Sequence, residues 1–202
     1  MKINLPNKLT IARVILCPFF MIFIIYPIPN EVWSRIIAAA LFILAAVTDF
    51  VDGKIARKKH LITNFGKFLD PLADKFMVIG ALICFCVSST GNFSSALFKN
   101  VIVWTTIIVV FRELGVTSLR LLVSKESGVV VAASKLGKLK TVSQCVCICM
   151  ILLEPIIFPE SIPAFHTWNI LSYLMIAIML SLTLWSGAKY VKSYWGFLDP
   201  TK

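Results

Sequence analysis

The sequence has few charged residues, and acidic side chains are especially scarce. Only 15% of the 202 residues are charged, ten of them are Asp or Glu, and there are two histidines. Hydrophobic residues make up 58% of the chain, and the mean hydropathy is +0.88. These values exclude a disordered chain, a collagen and a coiled coil, and they are too apolar for an ordinary soluble fold. The composition therefore predicts an integral membrane protein.

The six cysteines do not suggest a disulfide framework. All of them lie within apolar runs, and the spacing of Cys145, Cys147 and Cys149 would spread their thiols around a helix. We therefore expect the cysteines to be small buried hydrophobic residues, neither paired in disulfides nor binding a metal.

Six apolar stretches predict an all-α bundle of six transmembrane helices. They cover residues 14–26, 36–48, 76–90, 100–111, 141–153 and 168–188. A span takes roughly 20 residues, so all but the last must include charged residues at one end. The second span is expected to reach Asp49, the third to begin near Asp70, and the fifth to begin near Lys138. Residues 1–202 are expected to form one domain, in which about residues 1–10 are a short juxtamembrane segment. No cleavable signal peptide is expected, because the first run lacks a small-residue cleavage site.

The distribution of basic residues predicts the orientation of the bundle. Lys and Arg number 20 against ten acidic residues, which gives a net charge of +10. If the N-terminus is cytoplasmic, every basic residue except Arg35 and Lys99 falls on the cytoplasmic side. The positive-inside rule then predicts that both termini are cytoplasmic. The charged ends of the second to fifth spans would meet there and form a polar cavity.

Four of the ten acidic residues stand at the ends of neighbouring spans. Asp49 and Asp52 are spaced i, i+3 and Asp70 and Asp74 are spaced i, i+4, so each pair shares a helix face. Carboxylates in a membrane are costly, and four of them together would repel one another. One or two hard divalent cations would offset this repulsion, since oxygen-only ligands suit Mg²⁺, Mn²⁺ or Ca²⁺.

Simpler structural roles compete with a metal site at these aspartates. Asp70 could be a helix N-cap with Pro71 at the first helical position. This role leaves Asp74 unexplained. The partner of Asp70 in a capping box would be residue 73, which is an alanine. The first pair of aspartates could instead form ion pairs with Lys54 and Arg57.

The aspartates belong to a longer pattern with eight fixed positions over 26 residues, which are Asp49, Asp52, Gly53, Ala56, Arg57, Gly66, Asp70 and Asp74. The pattern resembles the signature of the CDP-alcohol phosphatidyltransferase family. Segment 4–13 resembles the N-terminal segment of that family, and segments 66–75, 112–120 and 135–141 resemble its branch that makes phosphatidylglycerophosphate. The last quarter of the chain is similar only in being hydrophobic and helical.

The resemblance implies a reaction and a set of site residues. The reaction is transfer of a phosphatidyl group from CDP-diacylglycerol to sn-glycerol 3-phosphate, with release of CMP. The implied cofactor is Mg²⁺ or Mn²⁺, as two ions, with Asp49, Asp52, Asp70 and Asp74 as ligands and Asp74 also as the general base. The implied CDP-diacylglycerol contacts are Asn7, Thr10, Asp52, Gly53, Ala56, Arg57 and Gly66.

The acceptor in this reaction is a dianion, so its pocket requires cations. The pocket is expected to consist of four basic residues on the cytoplasmic face, Arg112, Arg120, Lys135 and Lys138. The competing interpretation is that basic residues there contact lipid headgroups, as we expect for Lys125 and Lys140. Arg112 and Glu113 are adjacent and cannot share a helix face, so Glu113 is expected to have another partner.

Other functions remain open at this point. Within the family, the acceptor could be inositol phosphate, or phosphatidylglycerol as in a cardiolipin synthase, whereas the basic residues disfavour serine. Intramembrane carboxylates also occur in divalent-cation transporters, although no acidic residue continues the path across the second and third spans. A lipid-binding scaffold without catalysis would leave the four aspartates unexplained.

Assembly and location are expectations of the same kind. The alanines at 38–40 and 45–46 could pack helices within one chain or between two. The family resemblance implies a homodimer. The expected location is a bacterial cytoplasmic membrane, with the active site facing the cytoplasm and membrane lipids as neighbours. No nucleic-acid partner is expected.

Overall fold

The computed structural model describes residues 4–58, 63–127, 135–158, 161–162 and 168–195. Within these ranges only the backbone is described for residues 5, 50, 52–58, 64, 65, 67, 124–127 and 135. All regular structure in this part of the chain is helical. The helices are α1 (Leu5–Ile25), α2 (Glu31–Lys58), α3 (Asn64–Val87), α4 (Ala96–Ser127), α5 (Lys135–Ile157) and α6 (Ile170–Ser193), with a 3-10 turn at Gly91–Ser94.

Five of these helices are long and apolar enough to cross a membrane, and they confirm a multi-pass protein. The spanning segments are Pro6–Ile25, Glu31–Asp49, Ala96–Val123, Leu136–Ile157 and Ile170–Ser193. The remaining helix, α3, carries Lys67, Asp70, Asp74 and Lys75 in its first half, which lowers its hydropathy. A sixth span and the orientation of the termini therefore stay predictions.

The outer surface of the bundle is apolar. Leu97, Trp104 and Phe111 on α4 are 74%, 66% and 80% exposed. A soluble fold rarely exposes so much apolar surface, whereas lipid chains cover it in a membrane.

The bundle core is formed by aliphatic, aromatic and small side chains, and all six helices contribute to it. α1 packs against α2 and α3, α5 packs against α2 and α6, and α4 packs against α3 and α6. Phe20 on α1 meets Phe42 on α2 edge to face, with ring centroids 5.4 Å apart. Ala38, Ala39 and Ala45 are buried in the same core, so these alanines pack helices of one chain. The six cysteines are free and buried or partly buried, as expected.

The start of α3 excludes the capping role considered for Asp70. The helix begins at Asn64, and Thr63 caps it by accepting a hydrogen bond from the Gly66 amide at 3.0 Å. Pro71 therefore lies two turns inside the helix. The proposed capping role of Asp70 is wrong, and its carboxylate is available for other partners.

The helix ends opposite the four aspartates are joined by polar contacts. Arg35, at the start of α2, is 5% exposed and pairs with Glu31 at 3.1 Å. It also donates to the Asn92 side chain at 2.6 Å in the 3-10 turn. Gly91 has φ +54°, and a Cβ there would lie 1.9 Å from a Glu31 oxygen, so this turn requires glycine.

At the same end, Glu154 on α5 fixes the start of α6. This carboxylate is fully buried and accepts hydrogen bonds from the amides of Leu171 at 2.9 Å and Ser172 at 2.7 Å. The Ser172 hydroxyl also donates to it. A carboxylate at a helix N-terminus satisfies free amides and interacts favourably with the helix dipole.

We predict that Glu154→Gln lowers the free energy of unfolding by about 1–3 kcal/mol, because an amide cannot accept all three hydrogen bonds. Chemical unfolding in detergent followed by circular dichroism measures this change. Ser181→Ala is the matched control, since Ser181 is exposed on α6 and donates only to the Ala177 carbonyl within its own helix. Equal stability of Glu154→Gln and Ser181→Ala would contradict the assignment.

Candidate active site

A cavity of about 550 Å³ opens between α2, α3, α4 and α5 at the end of the bundle that carries the four aspartates. Its two charged walls have opposite sign. We call the first the acidic wall, formed by Asp49, Asp70 and Asp74 on α2 and α3. The second is the basic wall, formed by Arg112, Arg120, Lys138 and Lys140 on α4 and α5. The expected polar cavity is therefore present.

The acidic wall is held from behind by α1. Arg13 is 0% exposed, and its Nη1 lies 2.5 Å from an Asp49 oxygen and 3.8 Å from an Asp74 oxygen. One turn earlier on α1, the Thr10 hydroxyl donates to Asp70 at 2.8 Å. A buried guanidinium thus offsets the repulsion between carboxylates that come from two other helices.

The role of Arg13 was not predicted from the sequence, in which this residue counted only as a determinant of orientation. The spacing of the polar residues on α1 could have predicted this role. Asn7, Thr10 and Arg13 are spaced i, i+3, i+6 on α1, so they lie near one face of the helix. A cation on that face of an apolar helix requires a partner, and the aspartates were the available ones.

Asn7 and Gly66 bring α1 close to the start of α3. Asn7 is 7% exposed and donates to the Thr63 hydroxyl at 3.0 Å. A Cβ at Gly66 would lie 2.9 Å from the Asn7 Oδ1 atom and 3.3 Å from the Thr63 Oγ1 atom. Glycine at position 66 therefore permits this close approach.

Several predicted site residues lie outside the described side chains. The α2 helix continues through Asp52, Gly53, Ala56 and Arg57 to Lys58, but only its backbone is described there. The same holds for Lys135 at the start of α5 and for Lys125 near the end of α4.

The described part of the acidic wall offers carboxylate oxygens, which are suitable ligands for a hard divalent cation. Asp49 and Asp74 are 36% and 40% exposed, and both face the cavity together with Asp70. The Asp74 Oδ1 atom is buried and accepts no hydrogen bond within the described residues. The described side chains do not include a compact group of three acidic, His or Cys ligands. A complete site would therefore need Asp52 or oxygens of a bound substrate.

In the basic wall, two arginines contact α6. Arg112 donates to the Ser186 hydroxyl at 2.7 Å, and Arg120 donates to the Tyr190 hydroxyl at 2.5 Å. No polar role was predicted for this last helix from the sequence. Lys138 is exposed at the cavity lining, as expected of a residue that meets a soluble substrate.

For the basic wall, the expected headgroup role of Lys140 is wrong, whereas the expected further partner of Glu113 is confirmed. Lys140 does not contact lipid headgroups, because it is 5% exposed and forms an ion pair with Glu113. Glu113 also pairs with its neighbour Arg112 at 3.2 Å. Adjacent side chains leave a helix about 100° apart, but a long arginine side chain can bend back toward its neighbour. Glu113 therefore joins α4 to α5 and is shared by two cations.

One further polar group faces the cavity. Gln144, one turn beyond Lys140 on α5, is 2% exposed, and its amide nitrogen has no hydrogen-bond partner within the described residues. A buried donor without a partner is rare in a native protein unless water or a ligand accepts its hydrogen bond.

The fold and the site define a multi-pass helical membrane protein with an acidic and a basic wall in one cavity. The sequence matches the family profile described as CDP-alcohol phosphatidyltransferase over residues 3–190. The chain belongs to the CDP-alcohol phosphatidyltransferase family.

Relatives of known description cover nearly the whole chain. A CDP-diacylglycerol–glycerol-3-phosphate 3-phosphatidyltransferase of Bacillus subtilis is 38% identical over 95% of each chain. A protein of the same name from Pseudomonas fluorescens is 34% identical, over 96% of this chain and 92% of the relative. A probable phosphatidylglycerophosphate synthase of Mycobacterium tuberculosis is 36% identical, over 93% of this chain and 80% of the relative.

We predict that Arg13→Met lowers the free energy of unfolding by about 1–3 kcal/mol, because Asp49 and Asp74 lose their buried cation. The loss is smaller than for a fully buried pair, since both carboxylates are partly exposed to the cavity. Chemical unfolding in detergent measures it, with Arg13→Lys expected to recover part of the stability. Lys8→Met removes the same charge from an exposed position on α1 and serves as the control. Equal effects of Lys8→Met and Arg13→Met would show that only net charge matters.

Proposed function

We propose that this protein transfers the phosphatidyl group of CDP-diacylglycerol to the C1 hydroxyl of sn-glycerol 3-phosphate, giving phosphatidylglycerophosphate and CMP. The observation that carries the proposal is that carboxylates of α2 and α3 and cations of α4 and α5 line one cavity. A pyrophosphate with its metal suits the acidic wall, and a phosphorylated acceptor suits the basic wall. The printed names of the relatives describe this reaction for those proteins.

The acidic wall would hold Mg²⁺ or Mn²⁺, as two ions, through Asp49, Asp52, Asp70 and Asp74. Divalent cations bound there would neutralise the pyrophosphate and stabilise the charge that develops on the leaving CMP. Thr10 and Arg13 keep Asp70 and Asp49 in place from α1. The remaining residues proposed for CDP-diacylglycerol are Asn7, Thr10, Gly53, Ala56, Arg57 and Gly66.

Asp74 is proposed as the general base. Its Oδ1 atom is turned toward Arg13, while the side chain remains 40% exposed at the cavity. The carboxylate accepts the proton of the acceptor C1 hydroxyl as that oxygen attacks the lipid-side phosphorus. The bond from this phosphorus to the CMP oxygen breaks, and CMP leaves with the electron pair.

The basic wall is proposed to bind the acceptor phosphate through Arg112, Arg120, Lys135 and Lys138. A guanidinium carries five N–H donors, and Ser186, Glu113 and Tyr190 accept from only some of those of Arg112 and Arg120, so donors remain for a ligand. Inositol phosphate was considered as another acceptor. Glycerol 3-phosphate is preferred here because the names of the relatives specify it.

A divalent-cation transporter remains the second candidate, and the described acidic residues disfavour it. A transport path would continue toward the opposite end of the bundle. There, Glu31 is paired with Arg35, and Glu154 is engaged in capping α6. Neither carboxylate extends the acidic wall across the membrane.

The remaining proposals concern location and assembly. The excess of basic residues at the cavity end supports a cavity that faces the cytoplasm of a bacterial cell. A homodimer is proposed from the family resemblance alone. Of the alanines considered for its interface, Ala38, Ala39 and Ala45 lie in the core of one chain, whereas Ala40 is exposed.

Release of CMP from CDP-diacylglycerol by the purified protein in mixed micelles tests the proposed function. We expect CMP only when glycerol 3-phosphate and Mg²⁺ or Mn²⁺ are both present. We also expect that Asp74→Asn, which keeps the shape but removes the base, lowers kcat at least about 10²-fold. Binding of CDP-diacylglycerol to this variant should survive, because three aspartates remain. CMP release independent of glycerol 3-phosphate would rule out this acceptor, and full activity of Asp74→Asn would rule out the proposed base.

We predict that Arg112→Gln and Arg120→Gln raise the KM for glycerol 3-phosphate about 10-fold or more, because each removes a charged hydrogen bond to the phosphate. The KM for CDP-diacylglycerol should change far less. Steady-state CMP release with one substrate varied at a time measures both constants. Lys99→Gln at the opposite end of the bundle removes the same charge and should leave both unchanged. Equal increases for both substrates in the arginine variants would point to a general electrostatic role.

A further inference from the structure

The cavity end of α6 has a polar face that is almost completely buried. Thr183, Ser186 and Tyr190 are 0%, 1% and 6% exposed, and they are spaced i, i+3, i+7 along the helix. Hydroxyl groups buried in an otherwise apolar span need partners. For Ser186 and Tyr190 these partners include the two arginines of the basic wall.

The Ser186 hydroxyl is oriented toward Arg112 by the bonds it makes. Its proton is donated to the Thr183 carbonyl at 3.1 Å, so its lone pairs are free to accept from Arg112 at 2.7 Å. Gly187 permits this contact, because a Cβ there would lie 3.3 Å from the Arg112 Cγ atom. Arg112 therefore lies directly against the backbone of α6.

Tyr190 holds Arg120 in two ways. The phenol oxygen accepts from Nη2 at 2.5 Å, and the guanidinium carbon lies 4.7 Å from the ring centroid, within reach of a cation–π contact. The ring itself stacks on Tyr194, with centroids 6.4 Å apart and planes 19° apart. The position of the Arg120 head group is thus defined from behind by aromatic packing.

These partners differ in charge from those of the other buried cations. Arg13 and Lys140 are paired with carboxylates, which offset their charge. The partners that α6 offers to Arg112 and Arg120 are hydroxyls and a ring, which hold a guanidinium without neutralising it. Arg112 also pairs with Glu113 on its own helix, a carboxylate that it shares with Lys140. For Arg120 the described side chains include no carboxylate within ion-pair distance. Such a cation keeps its full charge for an anion in the cavity.

We propose that Ser186 and Tyr190 are positioning residues that set the affinity for the phosphorylated acceptor by holding Arg112 and Arg120 toward the cavity. This inference rests on the proposed function, because it takes the acceptor phosphate to be the ligand of these arginines. It gives α6 a role in acceptor recognition and none in binding CDP-diacylglycerol.

The test measures KM and kcat for both substrates with the full-length protein in mixed micelles. Tyr190→Phe removes the hydroxyl and keeps the ring, whereas Tyr190→Leu removes both contacts. We expect the KM for glycerol 3-phosphate to rise about 5- to 10-fold in Tyr190→Phe and in Ser186→Ala, and further in Tyr190→Leu. The kcat and the KM for CDP-diacylglycerol should stay within about 2-fold. Ser181→Ala and Ser193→Ala, which remove exposed hydroxyls from the same helix, are the controls.

A double-mutant cycle separates positioning from a merely structural role. If Tyr190 acts through Arg120, Tyr190→Phe should change the KM for glycerol 3-phosphate by less than about 2-fold in an Arg120→Gln background. Additive effects, or equal rises of KM for both substrates, would overturn the inference. So would an unchanged acceptor KM in Tyr190→Phe and Ser186→Ala. If the wild-type protein released no CMP with both substrates and metal present, the proposed function itself would be overturned. That result can be distinguished from variants that are active but have an unchanged KM, which overturn only the inference about α6.

Discussion

The buried ion pair between Arg13 and Asp49 is the contact on which the rest of the site depends. Arg13 belongs to α1, whereas the carboxylates that it approaches, Asp49 and Asp74, belong to α2 and α3. Without a cation between them, these helix ends would repel one another in surroundings that screen charge poorly. The same pairing leaves one side of each carboxylate facing the cavity, where a metal and a pyrophosphate can reach it.

Around that contact, carboxylates and cations from different helices line one cavity. The acidic wall comes from α2 and α3, and the basic wall comes from α4 and α5. A phosphoryl transfer between two anionic substrates needs this separation, because each substrate must meet a different compensating charge. Two residues depart from this separation, Lys75 on α3 and Glu113 on α4. Glu113 pairs with Arg112 and Lys140 and so joins the two helices of the basic wall.

The choice of partner decides what each buried cation can do. A carboxylate partner, as for Arg13 and Lys140, offsets the charge and makes the cation part of the framework. A hydroxyl or an aromatic ring, as offered by Ser186 and Tyr190, holds a guanidinium in place while its charge still acts on a ligand. The last helix can thus contribute to the site although it carries no signature residue.

The sequence by itself determined the class of the protein and the family. The apolar runs, the i, i+3 and i, i+4 spacing of the aspartates, and the eight-position pattern are local features, so they are readable without knowing how helices pack. Only the tertiary structure decided which residues meet. It placed Arg13 against Asp49, buried Lys140 against Glu113, started α3 at Asn64 and brought Tyr190 to Arg120. Most of these contacts join residues on different helices. Their energies depend on how deeply the residues are buried, and the pattern of hydrophobic residues along the chain does not specify this.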